Sequence, residues 1–335
     1  MKKMLQRIKT FFIESRYFVL GLILLFLVLT TELPYIIYAP GGLKNLDDRY
    51  TISSSYKSEG SFNLLYVTGY RANVLLYLMS LVLQNWDAVK TSDIKYDNET
   101  MDDSDKRDVI YLSLANQNAV VSAFKKANKE YTISDVHYKV IYIYEMAKTT
   151  FKVGDEILKV DNIDINKLGS LTDYINTKNV GDTLNISVKR DNIINVTAKI
   201  IEHDKKKIIG IVVPELFKVN TDPKVTFKFN PSESGSSAGL MLSLSIYDDL
   251  TISDLTHGYK IAGTGTIEDD GSVGEIGEVD KKLLSAIKGH ADIFMVPNGD
   301  NYNTIMKIVK KKKYDIKVIG VSTFDEAVSA LEKLK

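Results

Sequence analysis

The chain has 335 residues, and its 43 basic and 43 acidic side chains cancel, so no global field recruits nucleic acid. It has no cysteine, which excludes disulfides, thiolate metal sites and a cysteine nucleophile. Apolar content of 44% and charged content of 26% are ordinary for a globular protein, and the length predicts two or three domains. The histidines His137, His203, His257 and His290 are scattered, with no HExxH pattern. No metal site and no cofactor are expected from them.

Residues 1–16 form a basic segment holding Lys2, Lys3, Arg7, Lys9 and Arg16 against Glu14. The run "YFVLGLILLFLVLTTELPYIIY", residues 17–38, follows, with Glu32 and Pro34 near its far end. A bilayer core takes about 20 apolar residues in helix, so this run predicts a transmembrane helix in the lipid bilayer. The cations before it would stay in the cytoplasm, which places the C-terminal domains of a single-pass cell-membrane protein in the extracytoplasmic space. A cleaved signal peptide competes with that reading. No small-x-small cleavage site directly follows the run, which favours an uncleaved anchor.

Residues 39–127 begin with the loop-forming "APGG" and "SSSYKSEG". "SFNLLYVTGY" reads as a strand and "NVLLYLMSLVLQNWDAV" as a helix. Residues 90–108 are polar and acidic, as in a loop. A helix is expected at about Asp108–Asn128, where Leu112, Ala115, Ala119 and Ala123 recur near helical spacing. This apolar strand and these helices predict a segment packed against the C-terminal module.

The period changes over residues 128–202. "HYKVIYIYEMA" is a strand, "FKVGDEILKVDNIDI" a strand, turn and strand, and "SLTDYINT" a short helix. In "DTLNISVKRDNIINVTAKI", Leu184, Ile186 and Val188 alternate with Asn185, Ser187 and Lys189, as in a hairpin. Val153-Gly154-Asp155-Glu156-Ile157-Leu158, then Val160-Asp161 and the hairpin, resemble a PDZ domain. The resemblance implies a peptide bound by strand addition, with the receiving strand near Val140, Ile141 and Tyr142. The carboxylate-binding glycine loop of such domains is not evident, which argues against strict C-terminal recognition. A spacer domain is the alternative.

Residues 203–335 are mixed α/β. Strands are expected near Ile208–Val213 and Lys224–Phe229, and two strand–helix units close the chain. Their helices are Asp300–Lys312 and Thr323–Leu334, the latter opened by a Thr323-x-x-Glu326 capping box. Between those strands and those units lies "NPSESGSSAGLMLSLSIYDDL", four serines leading into an apolar helix. A serine there can be an N-cap. It can also be a nucleophile, since Gly235 permits a tight turn and Ser237 meets the free N–H groups of a helix start. With no histidine nearby in sequence, the base would be a lysine. At 100° per residue, with Val279 at zero, Leu283, Ala286 and His290 centre an apolar face near about 20°. Lys282 falls near about 300°, on the shoulder of that face, and Lys281 near about 200°, on the solvent side with Ser285 and Lys288. Burial there would lower the Lys282 pKa, although such a lysine is often only a snorkelling one.

"SGSSAGL" followed by "IGEVDKKLLSA" resembles the paired D-G-P-S-A-G and G-G-L-K-E-K-L-L-A-A motifs of the Lon protease domain. That resemblance implies Ser237 as nucleophile, Lys282 as base and Thr264 as its support. Backbone N–H groups of Ser236 and Ala238 would form the oxyanion site. Ser234 and Ser236 replace the Asp and Pro of the motif, Glu278 a Gly and Asp280 the first Lys. "YAPGG" and "LANQNAVVSAFKKA" extend the likeness to the membrane-anchored, PDZ-containing Lon-like peptidases of Gram-positive bacteria. The fold class expected is α+β and multidomain: a transmembrane helix, a PDZ-like β-rich domain and a Lon-type proteolytic α/β domain. The function implied is an ATP-independent serine endopeptidase cleaving extracytoplasmic peptides or unfolded proteins. The alternative is an inactive peptide-binding scaffold. No G-x-x-x-x-G-K-[ST] loop occurs, and the glycines of "GTGTIEDDGSVGEIG" do not follow G-x-G-x-x-G, so no nucleotide partner is expected. A homo-oligomer follows only by family analogy.

Overall fold

The computed structural model describes residues 15–228, 230 and 232–334, so Lys2, Lys3, Arg7, Lys9 and Glu14 lie outside it. Two compact units emerge, Met1–Pro40 with Val67–Ile94, and Gly41–Tyr66 with Lys95–Lys335.

The first unit contains α1 (Arg16–Thr30) and the start of β1 (Glu32–Asn45). After β2 (Tyr50–Ile52) of the other unit, it takes up the end of β3 (Ser61–Asn73), then α2 (Val74–Ser80) and β4 (Asp87–Lys90). The expected transmembrane helix over residues 17–38 is not formed. α1 has 15 residues, a length of about 22 Å against a hydrocarbon core of about 30 Å. No helix among the described residues is long and apolar enough to cross a membrane. Beyond Thr31 the chain turns to strand, and Tyr35–Tyr38 pairs antiparallel with β4. Pro34 explains the switch. It lacks a donor, clashes inside a helix and biases its predecessor to extended backbone. Tyr35-Ile36-Ile37-Tyr38 then supplies side chains that suit a pleated sheet. The next expected helix is also shorter than its apolar run. Asn73 caps it by accepting from Leu76 N–H at 2.8 Å, and it ends at Ser80.

Among the described residues, the second unit holds strands of two larger sheets and three two-stranded ones. α3 (Met101–Lys126) starts ahead of its apolar stripe, because Thr100 and Asp103 form a reciprocal capping box. Next come β5 (Tyr131–Lys139), β6 (Tyr142–Ile143), β7 (Glu156–Val160), β8 (Ile163–Asp164) and α4 (Ser170–Asn176). The hairpin β9 (Thr183–Lys189) and β10 (Ile193–Lys199) is followed by β11 (Ile201–His203), β12 (Lys206–Ile208) and β13 (Ile211–Val212). One sheet runs β10-β9-β7-β5-β14, where β14 is Glu215–Thr221. Its apolar face encloses a core that includes Val140, Ile157, Ile186 and Val196. The Gly-Asp turn is locked by Asp155, buried, whose two oxygens accept from Arg190 Nε and Nη2 at 2.7 Å each. Such a forked pair fixes geometry as well as charge.

After β15 (Val225–Phe227) and α5 (Gly239–Leu250) comes the second sheet, with β16 (Lys260–Gly263) parallel to both β3 and β17 (Ile293–Pro297). α6 (Val279–Lys288) and α7 (Asp300–Lys312) flank β17, and β18 (Lys317–Val321) leads to α8 (Phe324–Glu332). A parallel strand covered on both faces reads as an unbroken apolar run, and every residue of Ile293–Pro297 is buried. Ile293 and Met295 face a core shared with α3, α5 and α8, while Phe294 and Val296 face one shared with α6 and α7. This alternation places α5 and α6 on opposite faces of one sheet.

Candidate active site

The serine-rich loop is positioned before its helix begins. Gly235 adopts φ +90°, which an L side chain rarely takes, and its N–H donates to the Asp108 carbonyl of α3 at 2.8 Å. Glu233 is held by Lys44 at 2.7 Å and by Arg49, so one carboxylate ties the loop to the segment before β2. Gly239 opens α5 where a Cβ would lie 2.7 Å from Ile267 Cγ2, so the helix start can pass this segment only without a side chain. The Ser237 carbonyl accepts from Gly265 N–H at 2.9 Å and from the Thr264 hydroxyl at 3.1 Å.

Lys282 reaches this point from α6. Its Nζ lies 2.8 Å from Ser237 Oγ and 3.0 Å from Thr264 Oγ1. The side chain is only 4% exposed, and Thr264 is fully buried. Burial pushes the Lys282 ammonium down to about pKa 7, with Glu278 opposing the shift. The hydrogen-bond arithmetic then sets a direction. Thr264 has one hydroxyl proton, and it goes to the Ser237 carbonyl, so Thr264 meets Lys282 as an acceptor. A neutral amine giving one N–H to Thr264 can turn its lone pair toward Ser237 Oγ. The serine proton then has an acceptor at 2.8 Å.

Oxyanion donors are also available. Among the described residues, the N–H groups of Ser236, Ser237 and Ala238 donate to no protein acceptor. They sit at the positive end of α5, where an anion is favoured. No group of three or more His, Asp or Glu among the described residues is arranged to hold a metal ion.

Lys281 differs from its expected place. It is 1% exposed rather than solvated, with its Nζ on the Glu278 carboxylate and 3.9 Å from Asp280 Oδ1. Ser285 is buried on the same side. The angular pattern registers only apolar residues, so it finds the face of α6 toward the sheet and misses a second, polar buried face. Glu278 takes φ +55°, the left-handed region, which accounts for glycine at the corresponding place in the related motif. Here the glutamate side chain holds Lys281 instead.

Val140 and Ile141 connect β5 to β6, and Tyr142 opens β6, which forms a two-stranded sheet with β13. Val140 and Ile141 are buried, and their N–H groups donate to the Asp155 and Val212 carbonyls at 2.9 Å each. β6 is paired with β13, with Tyr142 opposite Val212. Three contributors escaped the sequence reading: Glu233, Arg49 and Asn118, whose Nδ2 donates to the Ile267 carbonyl at 3.0 Å. Their partners are far apart in sequence, and no local pattern marks them.

The comparisons with known proteins follow the same division. The PDZ domain family matches residues 121–200. Over 98 residues the chain is 34% identical to the Lon protease of Neorickettsia sennetsu, covering 29% of this chain and 12% of that one. Over 183 residues it is 28% identical to the Lon protease of Xanthomonas oryzae pv. oryzae, covering 54% and 20%. Over 188 residues it is 26% identical to that of Campylobacter concisus, covering 52% and 22%. The chain thus spans between 12% and 22% of the length of these relatives. Among solved structures, the PDZ domain of an SdrC-like protein from Listeria monocytogenes is 23% identical, with a TM-score of 0.21, covering 24% of this chain and 87% of that one. The chain therefore carries a PDZ domain, and its low-identity homology to Lon proteases supports a peptidase-related family.

Proposed function

We propose that the chain is a serine endopeptidase with Ser237 as nucleophile and Lys282 as general base, acting on peptides or unfolded segments without nucleotide. One observation carries the reading: a buried lysine amine 2.8 Å from a serine hydroxyl at a helix start with unpaired N–H groups. Ser237 Oγ attacks the peptide carbonyl and its proton passes to Lys282 Nζ. The N–H groups of Ser236, Ser237 and Ala238 receive the oxyanion. Lys282 returns the proton to the leaving amine as the C–N bond breaks, which leaves an ester on Ser237. Water then gives a proton to Lys282 while its oxygen attacks the ester, and Lys282 passes that proton to Ser237 Oγ as the C–O bond breaks, which restores the serine hydroxyl and the neutral amine. Thr264 orients the amine throughout and takes no proton.

Incubating the full chain with a mixed peptide library, with and without ATP, tests this. Cleavage that does not depend on ATP and disappears in Ser237→Ala is the expected result. A Ser237→Ala protein that cleaves at the parental rate overturns the assignment. No cleavage, with peptide binding kept, would instead support a scaffold role.

A further inference from the structure

A cavity of about 590 Å³ beside the nucleophile loop takes no part in the mechanism above. Its volume falls in the range of about 300–1,000 Å³ that suits a drug-sized ligand or a few residues of peptide. One wall is a single stripe of α3, where Tyr111, Leu114, Asn118 and Val121 recur at helical spacing. The facing wall comes from the PDZ sheet and its neighbouring turn, through Ile133, Leu168 and Phe217. Ser236, next to the nucleophile, also lines the cavity, as does the segment from Ile267 to Asp269.

Two features point to a polypeptide occupant. First, apolar side chains stand open here: Leu168 is 47% exposed and Ile133 38%. Second, on the side toward α3 the backbone of β14 is hydrogen-bonded by a side chain instead of a neighbouring strand. Gln117 donates from Nε2 to the Glu215 carbonyl at 3.1 Å and accepts from Phe217 N–H at 2.9 Å. Gln117, Glu215 and Phe217 all line the cavity, so a carboxamide occupies the place on the β14 edge that a peptide unit would take by displacing it. A strand edge with alternating apolar contacts is how extended peptides are commonly held.

We propose that this cavity is the substrate cleft, in which an extended segment bearing a large apolar side chain lies between α3 and the PDZ sheet and presents its next peptide bond to Ser237. The proposal rests on the endopeptidase reading and adds to it. The PDZ domain becomes a wall of the cleft, not a remote tether. Glu215, Glu268 and Asp269 line the same cavity against Lys125 among the described residues, so an acidic substrate side chain is disfavoured.

The test uses the full chain as Ser237→Ala, so that nothing is turned over. Fluorescein-labelled decapeptides carrying one Phe, or Asp in its place, are titrated by anisotropy. The Phe peptide should bind more tightly than the Asp peptide. Adding Ile133→Ser and Leu168→Ser together should weaken the Phe peptide by about tenfold or more, and Phe217→Ser likewise. Phe217→Leu keeps an apolar wall and should stay within about threefold of the parent. Ile133 and Leu168 are exposed, so their replacement should leave the thermal transition in place, and Phe217→Leu guards against a folding artefact at the third site. Unchanged affinity in the double serine variant, equal affinity for the two peptides, or no binding of the Phe peptide overturns the proposal. Labelling of Ser237 by a fluorophosphonate in the otherwise unaltered protein separates the two readings. Labelling with unaffected peptide binding in the variants removes the cleft alone. Cleft-dependent binding with neither labelling nor cleavage removes the dyad alone.

Discussion

Shifting the pH from 5 to 8 perturbs one proton at the candidate dyad. Lys282 lies near pKa 7, lowered from 10.5 by burial, while Glu278 pulls the other way. At pH 7 about half of the molecules then hold a neutral amine, against about 1 in 3,000 for an ordinary lysine. That difference is what burial contributes to the supply of active base. If only the neutral amine accepts the Ser237 proton, kcat/KM should climb nearly tenfold per pH unit below about pH 6 and level off above about pH 8. The whole rise from pH 5 to pH 8 should be about 90-fold. The assay is kcat/KM for a fluorogenic peptide at constant ionic strength, which reports groups of the free enzyme. Lys282→Arg serves as the control, because guanidinium does not release its proton near neutral pH. It should abolish cleavage without unfolding the chain. A flat profile between pH 5 and 8, a midpoint above about pH 9, or an active Lys282→Arg protein would refute the reasoning. Lys281 offers no substitute base, since its ammonium is held by the Glu278 carboxylate.

The same burial predicts a stability effect of definite sign. With a folded pKa near 7 and an unfolded one near 10.5, the unfolded chain binds more protons between those values, so stability rises with pH across that window. Lys282→Met removes the group, and its gain in unfolding free energy should be about 3 kcal/mol larger at pH 6 than at pH 9. Equal gains at the two pH values, measured by denaturant titration, would count against a depressed lysine. Thr264→Val leaves Lys282 without its acceptor but keeps Gly265 on the Ser237 carbonyl. We expect kcat to fall by about tenfold or more with KM little changed, and Thr264→Ser to restore it. A valine variant with parental kcat would show that Thr264 does not orient the base.

How much of this was legible in the sequence depends on the range of each signal. The Gly-Asp turn and the alternating hairpin announce a PDZ domain because every residue involved lies in one short stretch, and that domain is present. Ser237 and Lys282 stand out through paired motifs, and the fold sets them in contact from opposite faces of one sheet. Hydropathy alone overran at residues 17–38, where every residue is scored as if its backbone were free to stay helical. Pro34 vetoes the helix locally, and pairing with Asp87–Lys90 completes the change to strand, but a residue sum counts neither. Helix phase failed at Lys281 for a related reason. A face can be buried because it is apolar, or because a carboxylate awaits its charge, and only the first leaves a periodic trace. The place of β14 is harder still. Glu215 accepts from the Tyr138 hydroxyl at 2.9 Å and from Gly169 N–H at 2.7 Å, which stitches Glu215–Thr221 onto a strand about 80 positions earlier. That stitch brings Phe217 opposite α3 and next to the nucleophile loop. If the cleft is as proposed, side-chain selection therefore depends on a strand pairing that no local pattern announces, while the reacting atoms depend on two short motifs that do.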